Sequence, residues 1–400
     1  MGVVLKVNTR QSDSGDKIRT VKFFDEFKMM LRYDSIASTF SFSFYFDPNN
    51  AELAEVACVS HYHECSIYYD DELLINGYML SQAFNNDTKG QLVHIGGYSK
   101  AGVFEDCDMP TSMYPLESNG ISLKNICQRI LNEFNTHIRS KENQFKLIIA
   151  DVALADASKS IVTVSQSKIS NPTKKSIEEK VDKPLKKSTA KESENIKSYL
   201  TNLATQQDLV LSHNPQGDLL ITEAYTDGTP IFNYDDSVGL VGVIDIALNF
   251  NGQPMHSHIT VIMQADEDGG NAGEHTIRNP FVPVSAVYRP RVITLSSGDN
   301  ISIEEAATNE LRKELKSIVL TVTLDRGKIN GKFIRPNNTI VVKSRNNFLY
   351  KPVKWFIESV DFEANVSGEK SILTCVPTFV YSNETPTNFF VNPHENLPRL

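Results

Sequence analysis

The stretch of sequence that decides the fold class is Thr39-Phe40-Ser41-Phe42-Ser43-Phe44-Tyr45-Phe46. Apolar and polar residues alternate along it, and successive side chains of a β-strand point to opposite faces of a sheet. The alternation therefore predicts a strand whose four phenylalanines share one face. Asp47-Pro48-Asn49-Asn50 follows at once and is typical of a turn. Because the two-residue period recurs from Thr20 to Asp108, we expect an antiparallel β-barrel or curled sheet there.

Two turn signals divide the rest of this N-terminal region. Asp70-Asp71-Glu72 lies between two short apolar runs, which predicts the tip of a hairpin. Asn76-Gly77 follows the second run and predicts another turn, after which a strand begins at Tyr78.

The period changes to 3.6 residues after Pro110. Leu123, Ile126, Ile130 and Phe134 lie on one face of a helix that Ser122 can cap. After a strand, a second apolar stripe predicts another helix, with Ser193 as its cap, and a hairpin turns at residues 214–217. These elements predict a compact α+β unit.

Beyond Asp236 the two-residue period returns. One helix interrupts it, because Ser302 and Glu305 have the spacing of a capping box, which predicts a helix over about 302–316. Residues 383–400 are rich in Asn and Pro and predict an extended tail. The predicted fold is mainly β: two similar antiparallel β-barrel domains, 1–110 and 236–400, flank a small α+β domain, 111–235.

A lysine-rich stretch interrupts the central domain over about 158–191. It contains nine lysines and two prolines and no aromatic residue. Such a composition buries too little apolar surface to offset the entropy of ordering, so we predict a surface insertion there. A solvated loop explains its lysines better than an acidic partner does.

Composition excludes several classes of protein. The 40 Lys and Arg against 49 Asp and Glu give a net charge of −9, which argues against sequence-specific nucleic-acid binding. Five scattered cysteines without a C-x-x-C pair predict buried thiols in a reducing compartment. We identify neither a signal peptide nor an apolar run of about 20 residues, so we expect synthesis in the cytoplasm without membrane insertion.

Candidate catalytic and metal-binding motifs are weak. His61, His63 and Cys65 alternate as zinc ligands on a strand can, but no fourth ligand accompanies them. The acidic loop 266–271 lacks the ligand spacing of a calcium loop. Adjacent Asp235 and Asp236 would face opposite sides of a strand, and 97–102 reads G-x-S-x-x-G in a sheet context. We therefore assign no catalytic, cofactor-binding or metal-binding residue and predict a protein that is not an enzyme. Whether either metal candidate binds an ion stays open.

An ordered series of motifs resembles one family. The N-terminal motifs are an "IA-S-F-x-F"-like strand, a "tGyv"-like hairpin and a "G-R-S-K"-like strand. The C-terminal motifs precede and follow the capped helix. The three N-terminal motifs cover Tyr33–Phe42, Asp71–Tyr78 and Gly97–Cys107, and the two C-terminal motifs cover Tyr288–Ile293 and Phe333–Asn338. Together they resemble the baseplate hub protein of contractile-tailed bacteriophages, of the Mu-like type related to late-control tail proteins. Three features depart from the family pattern: Tyr98, where the family usually has Arg; the lysine-rich stretch, which is an insertion relative to the family; and Ile334-Arg335, where many members have Trp.

The resemblance implies a structural role in the virion. Hub proteins of this family form homotrimeric rings in which two similar barrels per chain give pseudo-sixfold symmetry. Such a ring joins the hexameric tail tube to the trimeric central spike, contacts other baseplate or tape-measure proteins, and lets the genome pass. The alternative is a carbohydrate-binding or carbohydrate-cleaving tail component. That alternative needs exposed aromatic residues or convergent carboxylates, and we expect Trp355, the single tryptophan, to be buried.

Overall fold

In the computed structural model, the described residues are 2–9, 17–87, 90–114, 117–138, 141–150, 177–186, 188–191, 193–263, 273–283, 285, 287–295 and 301–390. The acidic loop 266–271 and the end of the tail, 391–400, therefore lie outside the described residues.

The helices in this part of the chain are short. They are α1 (Ala51–Val56), α2 (Val103–Asp106), α3 (Leu123–Thr136), α4 (Ile177–Asp182), α5 (Ile196–Thr205) and α6 (Ile303–Leu315). Single turns of 3-10 helix cover Lys100–Gly102, Thr111–Met113, Lys141–Asn143, Arg345–Asn347 and Thr378–Val380. Ser122 caps α3 and Ser302 forms the capping box of α6 with Glu305, which confirms both predicted helix starts. None of these helices is both long and apolar enough to cross a lipid bilayer.

Strands form the larger part of the fold. The first seven are β1 (Val3–Thr9), β2 (Lys17–Val21), β3 (Glu26–Arg32), β4 (Thr39–Tyr45), β5 (Glu64–Tyr69), β6 (Glu72–Asp87) and β7 (Gly90–Ser99). The next eight are β8 (Leu147–Ala150), β9 (Val210–His213), β10 (Leu219–Thr222), β11 (Asn233–Asp235), β12 (Val243–Phe250), β13 (His258–Met263), β14 (Glu274–Arg278) and β15 (Pro290–Leu295). The last six are β16 (Ile318–Leu324), β17 (Lys328–Ile329), β18 (Lys332–Phe333), β19 (Thr339–Ser344), β20 (Leu349–Asn365) and β21 (Gly368–Pro377).

Thirteen of these strands form one sheet. Its order is β12-β16-β21-β20-β3-β4-β7-β6-β5-β1-β2, with β19 also paired to β20 and β11 paired to β19. Smaller sheets are β8-β10-β9, β14-β13-β15 and β17-β18. The mainly β, largely antiparallel fold class is thereby confirmed. The recorded pairing does not close on itself, so two closed barrels remain an expectation.

The same pairing order occurs twice in the main sheet. Repeat 1 has the order β3-β4-β7-β6-β5, and repeat 2 has the order β12-β16-β21-β20-β19. The register agrees as well. A row of residues that lie opposite one another on neighbouring strands of repeat 1, Met29–Phe40–Gly97–Met79, matches the row Leu248–Leu320–Cys375–Ile357 in repeat 2. In each repeat a bulge follows the last residue of that row, at Leu80 and at Glu358. A turn of 3-10 helix then follows β7 and β21. The two repeats share one topology.

One strand joins the repeats. β20 is 17 residues long, and its first half pairs with β19. Its second half pairs antiparallel with β3 over seven residue pairs, from Ser359 opposite Arg32 to Asn365 opposite Glu26. Phe362 and Ala364 are buried among residues of repeat 1, so β20 contributes to the packing of both halves.

Three hydrophobic cores lie under these sheets. The N-terminal core contains Phe40, Phe42 and Phe44 together with Phe362 from β20, and Phe46 packs against it. The predicted common face of the four phenylalanines is thus confirmed. The central core lies between α2, α3, α4, α5 and the β8-β10-β9 sheet. The C-terminal core contains Trp355, which is fully buried as predicted.

Two local predictions are wrong. Asn76-Gly77 does not turn, because β6 runs through it as one 16-residue strand. Gly77 instead permits a close approach of strands, since a Cβ there would lie 2.0 Å from the Tyr98 carbonyl oxygen. Ser193 does not cap α5; its φ is +59°, and the Asn195 side chain accepts the Ser198 N–H instead.

The predicted insertion is wrong for its second part. Residues 158–176 lie outside the described residues, but α4 follows them and is packed. Ile177, Val181 and Leu185 are buried in the central core, because these apolar residues lie four apart and face α3 and β8. The lysine count of the stretch concealed this apolar face.

Candidate assembly surfaces

Polar groups at the junction of the two repeats connect β3, α6 and β20. The ammonium of Lys316 lies 3.2 Å from Asp34 Oδ2, 3.0 Å from Glu358 Oε1 and 2.6 Å from the Tyr381 hydroxyl. That hydroxyl donates to Glu358 Oε1 at 2.5 Å. Burial, then the nearby Glu358 carboxylate, raises the pKa of Tyr381 well above its usual value, so the hydroxyl remains a donor at neutral pH. Edge-on packing of Tyr33 against Tyr381, with ring centroids 5.2 Å apart, completes this junction cluster.

A second contact joins the loop after β18 to the start of β6. The guanidinium of Arg335 is buried and donates to Glu72 Oε1 at 3.0 Å, to the Leu73 carbonyl at 2.8 Å and to the Leu74 carbonyl at 3.3 Å. The Phe333 N–H donates to the other Glu72 oxygen at 3.3 Å. A planar guanidinium suits such a fork of acceptors, so this contact orients repeat 2 against repeat 1.

The central unit is attached to repeat 1 through Glu105. Its carboxylate accepts from the Ser35 hydroxyl at 2.6 Å and the Ala37 N–H at 3.1 Å, and lies 2.7 Å from the Lys197 ammonium. Burial opposes ionisation, but the hydrogen bonds from Lys197, Ser35 and Ala37 outweigh it, and the pKa of Glu105 is lowered. Three segments therefore meet at one charged group.

A buried histidine makes the next attachment. His213 Nδ1 lies 2.9 Å from the Asn214 carbonyl, so it carries the proton and donates. Nε2, 2.6 Å from the Ser38 hydroxyl, is then the acceptor. Burial lowers the pKa of His213 to about 4, which keeps the ring neutral at pH 7.

The strands β2, β11 and β12 of the main sheet, and the second half of β6, each have one edge without a described partner strand. β12 pairs with β16 on one side, and no described strand pairs with its other side. β6 pairs with β7 along its length, but β5 covers its other side only as far as Tyr78. On that other side, residues 81–87 have no strand beside them among those described. Large exposed apolar side chains lie along the edges of β6 and β12. They are Leu80 and Phe84 on β6, and Val241, Ile244 and Phe250 on or beside β12. Open edges flanked by apolar residues are typical of surfaces that bind another chain.

A cleft of about 500 Å³ lies between α5, α6 and the junction cluster. The carboxylates on its walls have cationic partners: Asp208 lies 3.5 Å from Arg312, and Glu310 lies 2.8 Å from Arg291. Glu223 is paired with Lys180. Because these three carboxylates are held in ion pairs, their presence in the cleft is explained by the packing of the surrounding elements.

Comparison with solved structures identifies the fold. The 43 kDa tail protein of prophage MuSo2 from Shewanella oneidensis is 16% identical, with a TM-score of 0.69 over 95% of this chain and 99% of that chain. The tail protein from Neisseria meningitidis MC58 is 14% identical, with a TM-score of 0.68 over 95% and 98%.

The chain has the fold of prophage tail proteins. The resemblance inferred from the sequence motifs is thus confirmed at the level of the fold. An Escherichia coli component of the type VI secretion system, itself similar to T4 tail proteins gp27 and gp5, is 8% identical, with a TM-score of 0.51 over 95% of this chain and 77% of that chain. No protein-family model and no curated protein sequence matches the chain.

Within the tail-protein fold, the rings of His61 and His63 from the zinc candidate have centroids 5.3 Å apart but differ in their surroundings. His61 is exposed and its Nδ1 lies 2.8 Å from the Val59 carbonyl, whereas His63 is buried with Nε2 3.0 Å from the Glu55 carbonyl. Cys65 is buried, and burial raises the pKa of its thiol. In the described part of the chain, no three His, Cys, Asp or Glu side chains are arranged as metal ligands.

The remaining motifs have structural roles in this fold. Gly97 belongs to β7, where it meets Phe40, and Ser99 donates to the Ile36 carbonyl at 3.1 Å. Asp235 lies 2.8 Å from the Lys343 ammonium, and Asp236 accepts the Arg345 N–H at 2.6 Å.

Sequence reasoning missed the contacts that join the repeats. Arg335 was noted only as a departure from the family motif, and Glu72 only as part of a hairpin tip. The two are separated by 263 residues, so no local pattern connects them. The one available signal was the arginine itself, which is almost never buried without an acidic partner.

Proposed function

We propose that this protein is the structural hub of a phage-type tail, with no enzymatic activity. In this proposal three copies form a ring with pseudo-sixfold symmetry, which joins a hexameric tail tube to a trimeric central spike and lets the genome pass. Support comes from a fold shared along almost the whole chain with prophage tail proteins, at TM-scores of 0.69 and 0.68. The type VI secretion component, similar to T4 gp27 and gp5, extends this support to injection machines.

The observation that carries the proposal is the duplicated strand order. One chain holds two units of the same topology, repeat 1 and repeat 2, with matched rows and matched bulges. Three chains then supply six similar units. A ring of this kind presents sixfold geometry to the tube while it keeps threefold identity towards the spike. We further propose that each repeat becomes a closed barrel once neighbouring strands are in place, within the division 1–110, 111–235 and 236–400.

The proposal also names partners and location. The tube protein, the spike protein and other baseplate or tape-measure proteins bind the ring in the virion, after synthesis in the host cytoplasm. The net charge of −9 supports a lumen that does not retain DNA, since an acidic surface repels phosphates.

The mass of the native particle tests this function. Light scattering coupled to gel filtration should give three times the chain mass of 44.8 kDa at micromolar concentration, and class averages by electron microscopy should show a ring with six lobes. A protein that remains monomeric up to about 50 µM, well above the dissociation constants of stable assemblies, would rule the ring out.

A further inference from the structure

Among the described strands, repeat 1 has a neighbour for which repeat 2 has no counterpart. The outer edge of β3, the first strand of repeat 1, is covered by the second half of β20. β12 occupies the place of β3 in repeat 2, and no described strand pairs with its outer edge. The part of repeat 1 that corresponds to the second half of β20 is residues 81–87 of β6, whose edge is also open. The open edge of β12 therefore corresponds to the edge of β3 at the β3–β20 junction. The open edge of β6 corresponds to the edge of β20 there.

The matched rows show which residue of one repeat corresponds to which residue of the other. Met29 corresponds to Leu248, because the two hold the same place in the rows given above. Counting four residues on from the bulges at Leu80 and Glu358, Phe84 corresponds to Phe362. Within the chain, Phe362 lies opposite Met29.

We propose that the end of β12, residues 248–250, of one copy pairs antiparallel with residues 82–84 of β6 in a second copy. Phe84 lies opposite Leu248 in this ladder, and Ala83 lies opposite Asn249. The inference rests on the proposed function, because it assigns the contact between copies in the ring. It repeats between chains the junction that β20 and β3 make within one chain.

Burial of the corresponding side chains supports this partner. Phe362 is 0% exposed and Leu31 is 4% exposed, and both lie in the N-terminal core beside the junction. Their counterparts Phe84 and Phe250 are 47% and 45% exposed in the single chain. Ile244 and Leu80, at the same two edges, are 61% and 36% exposed. Phe84 and Phe250 are thus exposed in the single chain at positions whose counterparts beside the β3–β20 junction are buried.

Backbone geometry agrees with the proposed ladder. The Asn251 N–H donates to the Ser317 carbonyl at 3.2 Å, towards β16. Residues alternate in an antiparallel pair, so the N–H and C=O groups of Phe250 and Leu248 point to the open edge. The Ile246 carbonyl accepts from Asn347 Nδ2 at 3.4 Å, so we begin the ladder at Leu248. Each copy carries one β12 edge and one β6 edge, and head-to-tail contacts of this kind give a ring when the rotation between copies closes.

Paired cysteines test the register directly. Ala83→Cys with Asn249→Cys places two exposed residues at a predicted non-hydrogen-bonded pair, where Cα atoms are about 4.5 Å apart and within disulfide reach. Cys58 and Cys107, which are partly exposed, are replaced by Ser in every variant. We expect mild oxidation to give covalent trimers on a non-reducing gel and an 83–249 linked peptide by mass spectrometry. An equal mixture of the two single variants, dissociated and reassembled, should give linked dimers, which shows that the bond joins different chains.

The matched control moves one cysteine by two residues on the same face. Ala83→Cys with Ala247→Cys should link at least tenfold less, because diagonal neighbours lie about 7–8 Å apart. Met30→Cys with Asp361→Cys, the corresponding pair within the chain, should link intramolecularly under the same conditions. A trimer by mass that fails to link 83 to 249, or links both pairs equally, would overturn this contact and leave the proposed function standing. A monomer would overturn both.

Discussion

Arg335 is a buried cation that makes one of the contacts between the two halves of the chain. Arg335→Met keeps most of the side-chain volume but leaves Glu72 and the Leu73 and Leu74 carbonyls without their donor. Removing one partner of a buried pair costs about 3–5 kcal/mol, and because Glu72 is partly exposed we expect about 3 kcal/mol. Urea unfolding measures the change.

Arg326→Met is the matched control, since Arg326 is 42% exposed and its ion-pair partner is the adjacent Asp325. It should change the free energy of unfolding by no more than about 0.5 kcal/mol. Equal effects of the two substitutions would contradict the structural role given to Arg335.

His213 is expected to make stability depend on pH. Its pKa is about 4 in the folded chain, and an unperturbed histidine has a pKa of about 6.5, so the unfolded chain takes up the proton first as the pH falls. The contribution of His213 to stability is therefore complete above pH 6.5 and is lost between pH 6.5 and 4, with a slope of at most about 1.4 kcal/mol per pH unit. His213→Gln should remove this part of the slope in urea titrations at several pH values, while His94→Gln, at an exposed position, should retain it. A wild-type slope unchanged by His213→Gln would refute the assignment.

At the scale of elements, α4 decides how the lysine-rich stretch is understood. Val181 is fully buried in the central core, whereas Lys183, two residues on, is exposed. Val181→Asp would bury a carboxylate without a partner, so we expect a loss of about 3 kcal/mol or more and little folded protein. Lys183→Asp should leave the melting temperature nearly unchanged, and calorimetry compares the two. Tolerance of Val181→Asp would restore the prediction of a surface insertion for this part.

The sequence was sufficient for elements whose signal is local. Alternation at Phe40, Phe42 and Phe44 predicts a buried strand face, and Ser302 with Glu305 predicts where a helix begins, since both patterns depend on near neighbours. The turn predicted at Gly77 is wrong because Asn-Gly suits a hairpin turn, but a glycine, which has no side chain, also allows the Tyr98 backbone to approach closely. To choose between a turn and a close approach of strands, one must know which strand lies opposite Gly77, and the local sequence does not specify this.

At the scale of the whole molecule, the fold class and the family resemblance could be predicted, but the assembly surfaces could not. Motif order survives in the linear sequence, so the phage-tail resemblance was accessible and its fold is confirmed. The correspondence of Met29 with Leu248 appears only when strand pairing is known, because repeat 2 carries residues 251–317 between the strands equivalent to β3 and β4. That intervening segment conceals the duplication.

β20 also has a mechanical consequence. A single strand begins in repeat 2 and ends beside β3 in repeat 1, so the two halves are not connected by a flexible linker at that boundary. Torque applied to one half reaches the other through the covalent chain, through this seven-pair ladder, and through the contacts of Lys316 and Arg335. A ring assembled from such chains would behave as a stiff collar, and axial load would bend the parts attached to it before it bent the collar itself.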